Sequence, residues 1–149
     1  MFFENKIEGP VYGVESWASW QILSAWRISG GFTVLRKNLR LKPDSTDVLG
    51  TRNPQLANHP DEQWMVRSSL NPWTNHEFDA MVRHVSELPT PVVPAYTAVD
   101  MRYAWHLRPQ LELSLLGQNL FDRRHPEFNA LPGCSEFERG VFLRAKWSH

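Results

Sequence analysis

The chain lacks the features that identify several protein classes. Its 149 residues include one cysteine, Cys134, so an internal disulfide is impossible and the thiol is expected to be unpaired or bound outside the chain. No run approaches the roughly 18 apolar residues that a transmembrane helix requires. The opening residues, MFFENKIEGP, show no basic segment followed by an apolar stretch, so no secretory signal is expected there.

The chain also lacks a charge bias. Lys plus Arg and Asp plus Glu number 16 each, and the formal net charge is zero. A nucleic-acid partner is therefore not expected, because such proteins carry a basic excess. Aromatic residues are abundant instead, at 12% with seven tryptophans. The length is that of one ordinary domain, so the pattern along the chain must indicate the fold.

The last third of the chain alternates between apolar and polar residues with the period of two that is typical of β-strands. Residues 95–107 (AYTAVDMRYAWHL) and 110–120 (QLELSLLGQNL) both show this alternation. The break between them at Arg108-Pro109 is short enough to predict a hairpin. Residues 136–147 (EFERGVFLRAKW) alternate again after a longer polar loop. These three segments predict neighbouring antiparallel strands.

Weaker alternation upstream predicts four more strands, for a total of about seven and no helix. They run to about Trp17 and over residues 22–35, 63–70 and 77–88. Short turns are expected near residues 18–21, 71–76 and 108–109, and long loops at 37–61, 88–94 and 121–136. Gly30-Gly31 predicts a bulge or strong twist. The segment PTPVVP (89–94) contains too many prolines for strand pairing and is expected to form a loop.

Alternation does not reveal which face meets water. A soluble sandwich or barrel and an outer-membrane barrel give the same pattern. Two features favour the membrane barrel. Short connections alternate with long ones, and five tryptophans near the short turns predict an aromatic girdle at one rim. These five are Trp17, Trp20, Trp73, Trp105 and Trp147.

The faces opposite the apolar ones carry many charges, which suits a wide lumen that is filled with water or a plug. The residues predicted to line it include Arg83, Asp100, Arg102 and Arg144. Asp100 and Arg102 lie two residues apart, and Arg83 is expected on the neighbouring strand, so a cross-strand ion pair is predicted among them. Asn119 is expected to turn the end of its strand through its side chain.

Several segments resemble the C-terminal part of TonB-dependent outer-membrane receptors. They are YGVE at 12–15, RSSL at 67–70, VPAYTAVDMRYAW at 93–105, LELSLLGQNLFDRRHPEF at 111–128 and RGVFLRAKW at 139–147. The piece GQNLFD and the terminal strand are the most specific. The resemblance implies an all-β, antiparallel, up-and-down transmembrane β-barrel in the outer membrane of a Gram-negative bacterium. Residues 1–149 would then supply about seven C-terminal strands of a 22-strand barrel.

The resemblance also implies a function in the uptake of a scarce nutrient, such as an iron–siderophore complex or another small ligand. The TonB, ExbB and ExbD proteins would act only on a full-length receptor, and the barrel would contact outer-membrane lipid. No plug domain or TonB box is present, and Ser148 and His149 follow the terminal aromatic Trp147. We therefore expect a fragment that does not transport alone. A soluble all-β ligand-binding domain and a small self-assembling porin remain alternatives.

Loop residues are the candidates for contact with a ligand. Arg52, His59, His125 and Phe128 are expected to contribute, as external loops of the family do. The six histidines lack the spacing of metal ligands, so neither a metal nor a cofactor is expected. The carboxylate pairs Glu136/Glu138 and Asp122/Glu127 have no supporting nucleophile. We therefore expect no catalytic residues and no enzymatic activity.

Overall fold

A computed structural model describes residues 7–43, 58–89, 92–128 and 135–148, which are all-β. Cys134 and Arg52 lie outside these ranges. No helix in them is long and apolar enough to cross a membrane. The strands in chain order are β1 Ile7–Glu8, β2 Val11–Leu23, β3 Trp26–Lys37, β4 Arg40–Leu41, β5 Glu62–Trp73, β6 His76–Val85, β7 Leu88–Pro89, β8 Val92–Val93, β9 Tyr96–Arg108, β10 Leu111–Gln118, β11 Arg124–Pro126, β12 Glu136–Glu138 and β13 Gly140–Trp147.

Seven strands form one antiparallel sheet in the order β13-β10-β9-β6-β5-β3-β2. This order follows the chain, so the predicted up-and-down arrangement of about seven strands is confirmed. Two-residue turns at 24–25, 74–75 and 109–110 join the hairpins at one end of the sheet, called here the turn end. The opposite loop end carries three two-stranded ladders, β1-β4, β7-β8 and β11-β12. Among the described strands β2 and β13 have no outer neighbour, so the sheet is not a closed barrel.

Three predictions about the positions of strands and turns are wrong. The turn expected at 18–21 lies inside β2, where Ala18 and Trp20 pair with Gly30 and Ile28, and the chain reverses after Leu23 instead. Alanine and serine in that stretch are compatible with a turn or a strand, so the pairing with β3 determines which of the two forms. The strand expected over 77–88 ends at Val85. The strand expected over 136–147 is interrupted at Arg139, between β12 and β13.

Of the two features predicted at Gly30-Gly31, a bulge or a strong twist, the bulge is absent, because the pairing of β3 with β2 and β5 continues without a shift through both residues. The PTPVVP loop is partly paired, since Val92 and Val93 face Pro89 and Leu88 across a short ladder. A ladder of two residues requires few backbone donors, so a proline at its end is tolerated.

Successive hairpins are staggered in a constant direction. A line drawn across the paired strands at Trp26 in β3 reaches Phe78 in β6 and Leu115 in β10. The strand that follows each turn begins on this line at Trp26, two residues beyond it at His76 and four beyond it at Leu111. The shift is therefore two residues for every two strands. With a rise of about 3.3 Å per residue and about 4.8 Å between strands, it tilts the strands by about 35° from the perpendicular to the row of turns.

The two faces of the sheet differ in chemistry, as the alternation predicted. One face, called here the apolar face, includes Trp20, Val66, Leu115 and Leu143. The other, called here the charged face, includes Arg83, Asp100, Arg102 and Arg144, the residues predicted to line a lumen. Large apolar side chains on the apolar face are open, with Leu143 80% and Trp20 71% exposed. The buried hydrophobic residues of the described part are Val93, Ala98 and Ala104. No second layer of the described chain covers the apolar face.

The rim of tryptophans differs from the predicted one by a single member. Trp20, Trp73, Trp105 and Trp147 lie on the apolar face towards the turn end, as expected. Trp17 lies on the charged face in the middle of β2, one residue out of phase with this set. Trp26, which the prediction omitted, completes the rim and donates its indole N–H to Ser68 Oγ at 2.9 Å.

Candidate functional site

The charged face is the candidate functional surface, because its polar side chains converge across strands. Arg102 in β9 is the centre of the first group, called here the Arg102 cluster. Its guanidinium donates to Glu77 Oε2 at 2.7 Å, to Glu112 Oε1 at 2.8 Å and to Asp79 Oδ2 at 3.1 Å. These carboxylates come from β6 and β10, on either side of β9. One arginine therefore joins three neighbouring strands.

Further side chains extend the Arg102 cluster in both directions. Asp79 also accepts hydrogen bonds from Arg67 Nη2 at 3.1 Å and from Ser69 Oγ at 2.7 Å. On the other side, His106 Nε2 lies 3.0 Å from Glu77 Oε1. Arg144 Nη2 in β13 lies 3.9 Å from Glu112 Oε1. Arg102 thus forms ion pairs across strands, but with Glu77, Asp79 and Glu112 rather than within the predicted set.

Asp100, in contrast, does not pair with Arg102 or Arg83, and the prediction of such a pair is wrong. Its Oδ1 accepts the backbone N–H of Asn119 at 2.9 Å. Asn119 adopts a left-handed conformation with a φ of 51°. Its side-chain amide donates to the carbonyl oxygen of Phe137 at 3.1 Å. Asn119 therefore ends β10 and ties this end to β12, which extends the role predicted for its side chain.

The second group lies towards the loop end and is called here the His125 cluster. His125 in β11 is only 6% exposed at its side chain, and it contacts Asp122 Oδ2 at 3.1 Å through Nδ1 and Glu127 Oε1 at 3.2 Å through Nε2. Glu127 also accepts a hydrogen bond from Arg83 Nη2 at 2.6 Å. The Tyr96 ring stacks on His125 with centroids 4.2 Å apart. This cluster fixes the loop after β10 to strands β6 and β9.

Electrostatics in the His125 cluster favour an ionised Glu127. Burial by itself would raise the pKa of this carboxyl. The hydrogen bonds and charges of Arg83 and His125 outweigh burial and hold the pKa of Glu127 below its ordinary value. Glu127 is therefore a fixed negative charge between two donors, rather than a free acid that is available for proton transfer.

The predicted loop residues are not brought together. His125 is a buried structural residue, whereas Phe128 is 54% exposed and makes no ring contact with another described residue. His59 lies apart, with Nε2 3.8 Å from Asp61 Oδ1. Arg52 lies outside the described residues. Of the four, His125 alone is built into the charged face, and the sequence could not show this because Arg83 and Glu127 are 44 positions apart.

The two carboxylate pairs of the sequence have different surroundings in the structure. Asp122 and Glu127 meet through His125, one at each ring nitrogen. Glu136 pairs with Arg124 at 3.2 Å across the β11-β12 ladder, and Glu138 lies at the exposed end of β12. Among the described residues, no group of three or more His, Cys, Asp or Glu side chains is arranged to hold a metal ion.

Two cavities open on the charged face. The first, about 230 Å³, lies beside the Arg102 cluster and is lined in part by Asp79, Asp100 and Gln118. The second, about 430 Å³, extends from Arg83 and Tyr96 across β5 and β3 to β2. Both are lined by polar and apolar groups together. The second is large enough for a small organic ligand.

Comparison with known proteins gives no further assignment. No protein-family model matches the chain. No solved structure matches it either.

Proposed function

We propose that the chain forms part of the wall of an outer-membrane β-barrel of the TonB-dependent receptor type, with its apolar face towards lipid and its charged face towards the lumen. The observation that carries this proposal is the openness of the apolar face. Large side chains such as Leu143 and Trp20 are 80% and 71% exposed, and no described residues cover them. In water, so large an apolar surface would be unfavourable, whereas lipid solvates it.

The dimensions of the sheet support the membrane location. The main strands contain between 8 and 13 residues, which brackets the roughly 9–11 residues that a tilted strand needs to span a bilayer. Trp64 and Trp73 mark the two ends of the apolar face on β5 and are nine residues apart. Because β5 has one extra residue between Leu70 and Trp73, this separation matches eight residues of β6, or roughly 22 Å along the barrel axis at a tilt of about 35°, which is comparable to the apolar band of about 25 Å in such barrels.

The aromatic residues support the same orientation. At the turn end, His76 stacks on Trp105 with centroids 6.0 Å apart and meets Trp73 edge-on at 5.4 Å. At the loop end, Trp64 stacks on His84 at 5.5 Å, and Tyr12 is 66% exposed. Aromatic groups at both limits of an apolar band are typical of membrane interfaces, where an amphipathic ring contacts both lipid and water.

The charged face supports a function in the passage or binding of a polar solute. The Arg102 cluster and the His125 cluster satisfy most of their charges internally, so the wall presents a rigid polar surface to water. In the proposed receptor, this wall and the loops around Asn119 line the route of a scarce nutrient such as an iron–siderophore complex. The TonB, ExbB and ExbD proteins would power uptake by the complete receptor.

Arginine substitutions on the two faces test the orientation. Met101 lies on the apolar face near the middle of β9, opposite Ala80, and Met81 lies on the charged face of β6, opposite Asp100. In lipid vesicles, Met101→Arg should lower the free energy of unfolding by about 2–4 kcal/mol, because arginine is poorly solvated near the bilayer midplane. Met81→Arg is the matched control, and its effect should be below about 1 kcal/mol because it enters a polar lumen. Urea unfolding measures both.

Two results would contradict the proposal. The first is an equal loss of stability for both variants. The second is a wild-type chain that stays monodisperse and monomeric in water without detergent.

The uptake function is tested in the host. Deletion of the coding sequence should slow growth when a scarce nutrient such as iron is limiting. Normal growth of the deletion strain under every such limitation would exclude the uptake function.

A further inference from the structure

Trp17 is unlike the other side chains of the charged face. Its indole is 59% exposed in the middle of β2, whereas the remaining tryptophans of β2 and its partner β3, Trp20 and Trp26, lie on the apolar face. Gly31 lies directly opposite in β3. A Cβ at Gly31 would lie 2.5 Å from Trp17 Cε3, so the ring rests against the glycine backbone. The absence of a side chain at position 31 creates room for an aromatic platform.

Three polar side chains near this platform have no partner among the described residues. Glu15 lies two residues before Trp17 on the same face, and the row that contains it continues through Thr33 to Gln63. The side chains of Glu15, Thr33 and Gln63 make no hydrogen bond or ion pair with any other described residue. The Arg102 cluster on the same face is fully paired by comparison. Unpaired donors and acceptors beside an exposed ring are available to bind a ligand.

The larger cavity, about 430 Å³, encloses these groups. Glu15 and Trp17 form one end, Thr33 and Gln63 lie along its length, and Arg83 is at the other end. Arg83 donates to Glu127 at 2.6 Å, so its charge is balanced outside the cavity and Glu15 is the unpaired charge of the described walls. Thr33 and Gln63 add neutral hydrogen-bonding groups beside the indole. The walls therefore suit a ligand that combines a flat face with several hydroxyl groups.

We propose that this cavity, called here the Trp17 site, binds a neutral ring compound rich in hydroxyl groups, such as a pyranose of an oligosaccharide. The C–H face of a pyranose is flat and apolar, so it can stack on the indole of Trp17. Its hydroxyls donate to Glu15 and exchange hydrogen bonds with Thr33 and Gln63, which replaces their hydrogen bonds with water. The Trp17 site requires only that the charged face meets water, so it does not depend on the proposed membrane location.

The test measures binding of maltotriose and, separately, of tetramethylammonium to the folded chain in detergent micelles, by saturation-transfer NMR and calorimetry. We expect maltotriose to bind in the millimolar range or tighter and tetramethylammonium to bind more weakly. Trp17→Leu should weaken maltotriose binding about tenfold, since a stacked ring contributes on the order of 1.4 kcal/mol. Trp20→Leu removes an indole that is 71% exposed on the opposite face of the same strand and should leave binding unchanged.

A second pair of variants protects the test against misfolding of Trp17→Leu. A methyl group at position 31 would lie 2.5 Å from Trp17 Cε3 and 2.8 Å from Ser16 O, so Gly31→Ala should displace the ring together with the local backbone and weaken maltotriose binding. Gly30→Ala also places a methyl group close to a backbone oxygen, 3.0 Å from Met65 O, but on the opposite face, and should leave binding unchanged. Circular dichroism verifies that each variant keeps its sheet. The proposal is overturned if maltotriose does not bind, if tetramethylammonium binds more tightly, or if the Trp17 and Trp20 variants lose affinity equally.

Discussion

At the scale of single residues, Arg102 is the side chain on which the charged face depends most. Its guanidinium is 24% exposed and satisfies carboxylates of Glu77, Asp79 and Glu112 at once. These acids lie on strands that flank β9, so without a cation between them they would repel one another. The positive charge of Arg102 therefore balances carboxylates from both neighbouring strands, β6 and β10.

Replacement of Arg102 by methionine should lower the free energy of unfolding by about 2 kcal/mol. The three carboxylates would lose charge-assisted hydrogen bonds and would face each other in a partly desolvated position. Urea unfolding in detergent micelles measures the loss. Arg27→Met is the matched control, because Gln21, which is exposed, is the one described residue to which the Arg27 side chain donates, and its removal should cost less than about 0.5 kcal/mol.

The double variant Arg102→Met with Asp79→Asn distinguishes repulsion from lost packing. Removal of one of the three negative charges should recover part of the stability lost with Arg102. A double variant in which the two losses simply add would show that the cluster is not coupled, and this would contradict the structure.

At the scale of elements, the loop that follows β10 is fixed to the sheet by the His125 cluster. Glu127 accepts hydrogen bonds from Arg83 in β6, and His125 stacks on Tyr96 in β9. The pKa of Glu127 is below its ordinary value because Arg83 and His125 outweigh the effect of burial. The stabilisation by Glu127 is therefore complete above its unfolded-state pKa of about 4.3 and is lost as the pH falls through the lower folded-state pKa.

Glu127→Gln should accordingly destabilise the loop in a pH-dependent way. At pH 7 the variant should be less stable than the wild type by about 1–2 kcal/mol, and the difference should shrink as the pH falls below about 4. Unfolding at a series of pH values, with hydrogen exchange of residues 122–127, measures the effect. Glu138→Gln is the control, since Glu138 is exposed and its side chain makes no hydrogen bond or ion pair with a described residue. A difference that does not change with pH would contradict the role of Glu127.

The elements also show what the sequence could and could not predict. Alternation placed Val66 and Arg67 on opposite faces correctly, because each strand has a period of two. It could not relate Trp17 to Trp20, because the turn expected at 18–21 separated them, and only the unbroken pairing of β2 with β3 shows that the two residues lie on opposite faces. It also missed the contact of Arg83 with Glu127, because docking of a loop on a sheet leaves no periodic signal.

At the scale of the whole molecule, the directions of the two edge strands limit what can complete the wall. Seven strands alternate in direction, so β2 and β13 run the same way. Two copies with the same orientation in a membrane would bring β13 of one beside β2 of the other in parallel. An antiparallel contact between identical edge strands, such as β13 with β13, would require one copy to have the inverted orientation across the membrane. A closed antiparallel wall therefore requires an odd number of strands of different sequence between these two edges.

The chain alone should consequently form no channel of uniform conductance in planar lipid bilayers. Open edges expose backbone N–H and C=O groups, each of which is costly in lipid, so irregular association is expected instead of a defined ring. Single-channel recording measures the conductance, and hydrogen exchange should show faster exchange in β2 and β13 than in β6, which has a partner on both sides. A single reproducible conductance step, together with slow exchange at both edges, would show that copies of the chain close a barrel and would establish the self-assembling porin instead.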